Sequence, residues 1–497
     1  MSLKEEIKKW KNQIDTHTLL IFAIVAVIFF GMLVSFEYAT DTYAVFAQGA
    51  RVNAMHFLGS GRFVTAVAVI IARIFCLSEI QIYFISYLLA LISLIVSLYE
   101  LEKIICKDLN KKILSILIST LIILNAFIIE LFLFIEKGIL VFSVLLNVMA
   151  VKYIVAFFEK NNWKDFFKVL IFMFLANGSY QGTVGLFIAI SLVYIIKYSK
   201  DVKTFIKNNV IVAVGYAVPA VLDLIVAKIF GGSRVSGNIE ILESIKKIIV
   251  SSKNMLATYN ILPKHLFLTV TIVVIIYLIY MIIKSHNTTK GKLLKLLSIV
   301  YISLGTIVVA ILPQIMQDTD AIWVVPRSTY TFASLIGILI LHLFVSFKDD
   351  IKYEININKI IILISILYII VQYISFVKVE ISRYKLNELD KEISLNIKQS
   401  VQEYEESSGN TISKIAIYND KSITYTYKDI FITGDMNIRA YATDWSTTAI
   451  LKYYLDRDLD IVPKVDTISE QFESQDWNYF NEKQLVFEGD TLHICCY

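Results

Sequence analysis

Long apolar runs recur along most of this chain, and they constrain its fold more than any other feature. A helix needs roughly 20 apolar residues to cross a hydrocarbon core of about 30 Å. Runs of that kind fall near 18–36, 79–100, 113–129, 138–157, 166–177, 182–197, 209–230, 265–284, 294–313, 328–346 and 359–377. Lipid offers no partner to a backbone N–H or C=O, so such runs must be helices. The sequence therefore predicts a polytopic α-helical membrane protein with about eleven transmembrane helices. Composition agrees, because 57% of the residues are hydrophobic and 18% charged, where a soluble domain carries about 25% charged residues. A soluble enzyme is excluded. With 18 Gly, 5 Pro and 4 Cys, neither a low-complexity chain nor a cystine framework is in question. The balance of 47 basic against 43 acidic residues gives no reason to expect nucleic acid.

Lysine placement sets the expected topology, since cytoplasmic loops retain positive charge. Lysines collect at Lys4–Lys11, Lys103–Lys112, Lys160–Lys164, Lys200–Lys207, Lys290–Lys295 and Lys348–Lys352, all on one side if the eleven spans hold. The opposite loops carry chiefly Arg51, Arg62, Lys137 and Arg327, with a scatter of lysines in the longer 231–264 loop. The amino terminus is thus expected in the cytoplasm. The runs at 166–177 and 182–197 are short, and are read as two crossings rather than a re-entrant pair. Segment 63–76 is apolar but short and contains Arg73, so it is read as an interfacial helix in a first outer loop spanning 37–78. The first run lacks a cleavage site behind it and reads as an anchor. An odd number of spans places the tail outside, giving a transmembrane domain at 1–377 and an extracytoplasmic domain at 378–497. That tail alternates like strands at Ile415–Tyr418 and Ile423–Tyr427 and is helical around Thr447–Tyr454, which predicts a small α+β domain. Richness in Lys, Ile and Asn suits a low-GC bacterium, so the expected location is a bacterial cytoplasmic membrane. Cys495 and Cys496 are adjacent, and no disulfide or metal site is read from the cysteines.

Polar groups gather toward the expected outer face. The first outer loop holds Glu37 and Asp41, about one helical turn apart, followed by Arg51, His56 and Gly61-Arg62. A solvated helix end explains the acids as well as a catalytic pair does, but the clustering with histidine and arginine favours function. A carboxylate can deprotonate an acceptor, and an arginine fork can hold a phosphate. A second group is Asn177, Tyr180 and Gln181, which fits either a plain hairpin or a ligand-binding turn. The third runs from Gln314 through Gln317, Asp318, Asp320 and Trp323 to Pro326-Arg327, where an interface anchor or a phosphate fork would serve. Asp223 lies within an apolar span and is a functional candidate by its cost there. Lys228, in the same span, divides evenly between a phosphate ligand and a snorkelling anchor. Glu130, Glu136 and Lys137 read as wet surface. Neither a Walker loop nor a dinucleotide fingerprint nor a metal-ligand spacing occurs, so the energy must come from a pre-activated substrate or a gradient.

An acidic first outer loop with Asp41, then Gly61-Arg62, a Tyr180-Gln181 turn and a later Pro326-Arg327 together resemble the GT-C class of integral membrane glycosyltransferases. More narrowly, their order is similar to that of the O-antigen-type glucosyltransferases (the Gtr family), over the membrane portion of the chain. The resemblance implies transfer of a hexose, usually glucose, from a polyprenyl-phosphate carrier to a cell-surface polysaccharide on the outer face, with inversion. It implies Asp41 as general base, although this chain has Asp41 alone where the family commonly pairs its acids, with Glu37 one turn earlier as the alternative base, and it implies Arg62, Arg327 and Lys228 on the donor phosphate. Tyr180, Gln181, Asn177 and His56 would contact the sugar or acceptor, and no cofactor or metal would be needed. The partners implied are the lipid-linked donor, the polysaccharide acceptor and the bilayer. Rival readings are a flippase or exporter of lipid-linked sugars, and a polysaccharide polymerase using a diphosphate-linked donor.

Overall fold

A computed structural model describes residues 15–35, 37–231, 240–259, 261, 263–285, 288–315, 317–346, 355–419, 438–473 and 481–496. Its helices are α1 Thr16–Phe30, α2 Thr40–Gln48, α3 Ala50–Gly59, α4 Phe63–Ile74, α5 Glu79–Leu109, α6 Lys112–Ile123, α7 Ile128–Phe132, α8 Lys137–Lys160 and α9 Trp163–Ser179. They continue with α10 Gly185–Tyr198, α11 Val202–Ile229, α12 Ile241–Thr258, α13 Lys264–Lys284, α14 Thr289–Ile315, α15 Leu335–Ser346, α16 Ile355–Ser408, α17 Asp444–Leu455 and α18 Asp466–Glu473. The strands are β1 Lys414–Asn419, β2 Asp460–Ile461, β3 Leu485–Glu488 and β4 Thr491–Cys496. The chain divides into two compact units, the first Met1–Val34, Ala54–Phe132 and Glu136–Phe376, the second Ser35–Asn53, Leu133–Ile135 and Val377–Tyr497.

The first unit is helical, and the protein is a multi-pass membrane protein. Among the described residues nine helices are long and apolar enough to cross: those containing α1, α5, α8, α10, α11, α13, α14, α15 and α16. The other two expected crossings are α6, with 12 residues, and α9, with 17. At 1.5 Å per residue α6 reaches only about 18 Å. α4 has 12 residues and is likewise short of a crossing.

The short helices end where polar side chains take over from the backbone ladder. Asn125 stops α6: its Nδ2 donates to Ile122 O at 3.1 Å and to Ser334 Oγ at 2.9 Å, while its Oδ1 accepts from Phe127 N at 2.9 Å. The facing segment Pro326–Ser334 is a 3₁₀ stretch interrupted by a non-helical Thr329. From it Tyr330 Oη donates to Ile123 O at 2.6 Å and Ser334 Oγ to Ile122 O at 2.7 Å. Carbonyls freed at the end of α6 are thereby satisfied without water. α9 ends in an extended Tyr180, and a 3₁₀ turn at Gln181–Thr183 leads into α10.

The second unit is built on a four-stranded sheet of order β2-β1-β4-β3, in which β1 runs parallel to β2 and β4 while β3 is antiparallel to β4. Successive strand residues face opposite sides. Ile415, Ile417 and Ile494 pack with Ile397 of α16 and Ile450 of α17. Ala416, Tyr418 and Cys495 pack on the other side with Ile468 and Phe472 of α18. Cys495 and Cys496 therefore point into different layers, and both are free thiols. The expected strand at 415–418 and helix at 447–454 are present, whereas the strand expected at 423–427 lies outside the described residues. α2 belongs to this unit: Tyr43 joins its core, and Tyr38, Tyr43 and Tyr453 meet edge-on at ring distances of 5.4–6.2 Å.

Among the described residues of the second unit, one ion pair is buried. Arg439 Nε lies 2.8 Å from Asp390 Oδ1, and Ala440 N donates to Asp390 Oδ2 at 2.8 Å. Removing one partner leaves the other charge uncompensated. Arg439→Ala is expected to destabilise the second unit by about 3–5 kcal/mol, seen as earlier protease cleavage after residue 377 in full-length protein, with Arg439→Lys partly restoring resistance.

Candidate functional site

Three of the short sequence motifs converge in the first unit. Gly61 sits in the left-handed region at φ +75°, ending the turn between α3 and α4. A Cβ there would meet Asp223 Oδ2 and Gln181 Nε2, both at 2.8 Å, so only glycine allows the backbone this close. The neighbouring residue, Arg62, places its guanidinium carbon 4.9 Å from the centre of the Tyr180 ring. This is cation–π distance. Gln181 then ties the corner to α11, donating to Ser60 O at 3.1 Å and to Asp223 Oδ2 at 2.9 Å.

The third motif approaches through a second glycine. A Cβ on Gly182 would lie 2.6 Å from Arg327 O and 2.9 Å from Ser328 Cα, so the 181–183 turn presses directly on the Pro326–Ser334 segment. Arg327 is fixed by Glu130: its backbone N donates to Glu130 Oε2 at 2.6 Å and its Nη1 to Oε1 at 2.5 Å. The Arg327 guanidinium lies close enough to the buried Tyr180 hydroxyl to act on it electrostatically, and 5.3 Å from the Trp323 ring. Tyr180 thus has Arg62 over its face and feels the charge of Arg327 as well.

Arg62 and Gln181 line a narrow cleft of about 90 Å³ with Ser60, Asn177, Asp223, Gln317, Val184, Pro313 and residues of α11, whereas Tyr180 and Arg327 stand outside its lining. Two polar atoms on it are buried without a hydrogen-bond partner among the described residues, Arg62 Nε and Asp223 Oδ1. Asn177 turns its amide back to Met173 O at 2.8 Å. A cationic fork and a carboxylate, each with a vacant hydrogen-bonding position, can bind an anion and a hydroxyl side by side. The described residues contain no cluster of three His, Cys, Asp or Glu side chains fit to hold a metal.

The other predicted residues are not part of this cleft's lining. His56 is exposed on α3, its ring beside Phe57. Lys228 is exposed in the last turn of α11 and does not line the cleft. Asp41, in the first turn of α2, and the buried Glu37 belong to the second unit, where Ser35 Oγ donates to Glu37 Oε1 at 2.8 Å. The reading of Glu130 and Lys137 as wet surface is overturned, since both are buried. Glu130 holds Arg327, and Lys137 Nζ lies 3.7 Å from the Tyr83 ring centre. The signal for Glu130 was present in the run Ala126–Ile135, where it is the one charge among apolar neighbours.

No protein-family model matches the chain, and a search of curated proteins finds no similar sequence.

Gly61→Ala tests the corner. The left-handed backbone alone costs about 1–2 kcal/mol with a Cβ, and the new methyl must also separate Gln181 from Asp223. A lower melting temperature of the purified protein is expected, with Gly49→Ala, whose Cβ meets nothing within 4 Å, as the control for left-handed strain without the clash.

Proposed function

We propose that the protein is an inverting glycosyltransferase that moves a hexose from a polyprenyl-phosphate carrier to a cell-surface polysaccharide. The observation that supports this reading is the approach of Arg62 and Arg327 to one buried tyrosine, beside a cleft where Arg62 Nε and Asp223 Oδ1 have no partner. A lipid-borne substrate reaches a membrane unit by lateral diffusion, and the donor's phosphodiester, whose charge grows as it leaves as a phosphate monoester, is an anion that arginine forks suit. Arg62 and Arg327 take the donor phosphate, and their charge meets the negative charge that grows on it as the anomeric C–O bond breaks. Gln181, with Asn177 and Asp223, faces the sugar hydroxyls. Asp41 is the general base that the resemblance implies: it removes the acceptor proton as the acceptor oxygen bonds to the anomeric carbon.

The test is transfer of labelled glucose from synthetic undecaprenyl-phosphate-glucose to a surface-polymer extract by purified protein. Arg62→Gln is expected to lower kcat/KM about 10- to 100-fold, the loss of one charge-assisted hydrogen bond, and Asp41→Asn to abolish transfer. Transfer that ignores Asp41→Asn would remove that residue from the mechanism. No transfer by wild type from any monophosphate donor would overturn the glycosyltransferase reading in favour of a flippase or a diphosphate-dependent polymerase.

A further inference from the structure

α12 carries three distinct faces. Ser244, Ile248 and Met255 are buried against the first unit. Ile241, Leu242, Ile245 and Ile249 form a second face turned outward, with Leu242 79% and Ile249 61% exposed. Lys246 and Lys253 stand exposed along its edge, two turns apart. Charges at both middle turns forbid α12 from crossing a bilayer, and an exposed Ile/Leu strip of this size is unfavourable in water. Only the boundary between lipid and water satisfies both.

The buried face is latched to the segment that carries Arg327. Ser244 Oγ lies 2.8 Å from Thr319 Oγ1, which also accepts from Glu240 N at 3.1 Å. Lys247 Nζ reaches Asp320 Oδ1 at 2.6 Å, and Val324 N donates to Ser251 Oγ at 3.2 Å. Lys247 is therefore engaged, whereas Lys246 and Lys253 have no ion-pair partner among the described residues.

We infer that α12 lies in the membrane surface, with its Ile/Leu strip in the acyl region and Lys246 and Lys253 on anionic phospholipid headgroups. A basic residue beside an anionic leaflet enriches its lipids, and the paired lysines flank the strip where headgroups would lie. The lysine scatter in the 231–264 loop then reports lipid contact, in place of a topology signal that it fits poorly. The inference does not depend on the proposed chemistry.

The test uses full-length protein with Cys76→Ser and Cys106→Ser, carrying Leu242→Cys, Ile249→Cys or Asn254→Cys labelled with an environment-sensitive fluorophore in nanodiscs. Labels at 242 and 249 are expected to be quenched by doxyl phospholipids and the label at 254 by aqueous iodide. Doxyl-phosphatidylglycerol should quench more strongly than doxyl-phosphatidylcholine, a preference on the order of fivefold for each lysine, falling toward unity in Lys246→Gln/Lys253→Gln. Iodide quenching at 242 and 249 would overturn the placement of α12. Equal quenching by the two lipids in the unsubstituted protein would overturn the anionic headgroup site.

Discussion

Every polar group of the backbone must find a partner inside the membrane unit, and this requirement shapes all the rest. Continuous helices meet it by themselves. The interrupted ones cannot, and the structure places them together: the end of α6, the turn after α9 and the 3₁₀ stretch from Pro326 satisfy or press upon one another through Asn125, Tyr330, Ser334 and Gly182. Irregular backbone at membrane depth is tolerated only where protein or a cavity covers it. The interruptions thus concentrate polar side chains at one locality, and the cleft with Arg62, Gln181 and Asp223 lies beside it.

Much of the fold was legible because lipid burial leaves a simple trace. A run of Ile, Leu, Val and Phe reads as a helix whatever packs against it, and the strand at 415–418 showed its alternation. Less legible was where helices stop. Asn125 breaks α6 through its side-chain bonds to Ile122 and Ser334, a partner more than 200 residues away, which no local window contains. The run at 113–129 therefore looked like a full crossing.

The candidate site was legible in pieces. Gly61-Arg62, Tyr180-Gln181 and Pro326-Arg327 stood out as polar punctuation in apolar surroundings, and the structure brings all three together. Their mutual contacts rest on shape: the turn at Gly61 fits because no Cβ intervenes, and Gly182 admits the Arg327 carbonyl for the same reason. Glu130 was misread as wet surface because a loop acid ordinarily is, and its burial depends on an arginine 197 positions later. Lys137 was misread for the same reason, its partner being the face of Tyr83.

The fixed charges around Tyr180 have a consequence of their own. With both carboxylates ionised, Asp223 and Glu130 would balance Arg62 and Arg327 in charge, Glu130 by a direct ion pair with Arg327. Such neutrality lets the locality persist in a poorly polarisable surrounding, where a net charge would be expensive to keep. An entering anion upsets that balance. Where a proton enters with it, or protonates one of the two carboxylates, occupancy of the cleft and proton uptake become thermodynamically linked quantities.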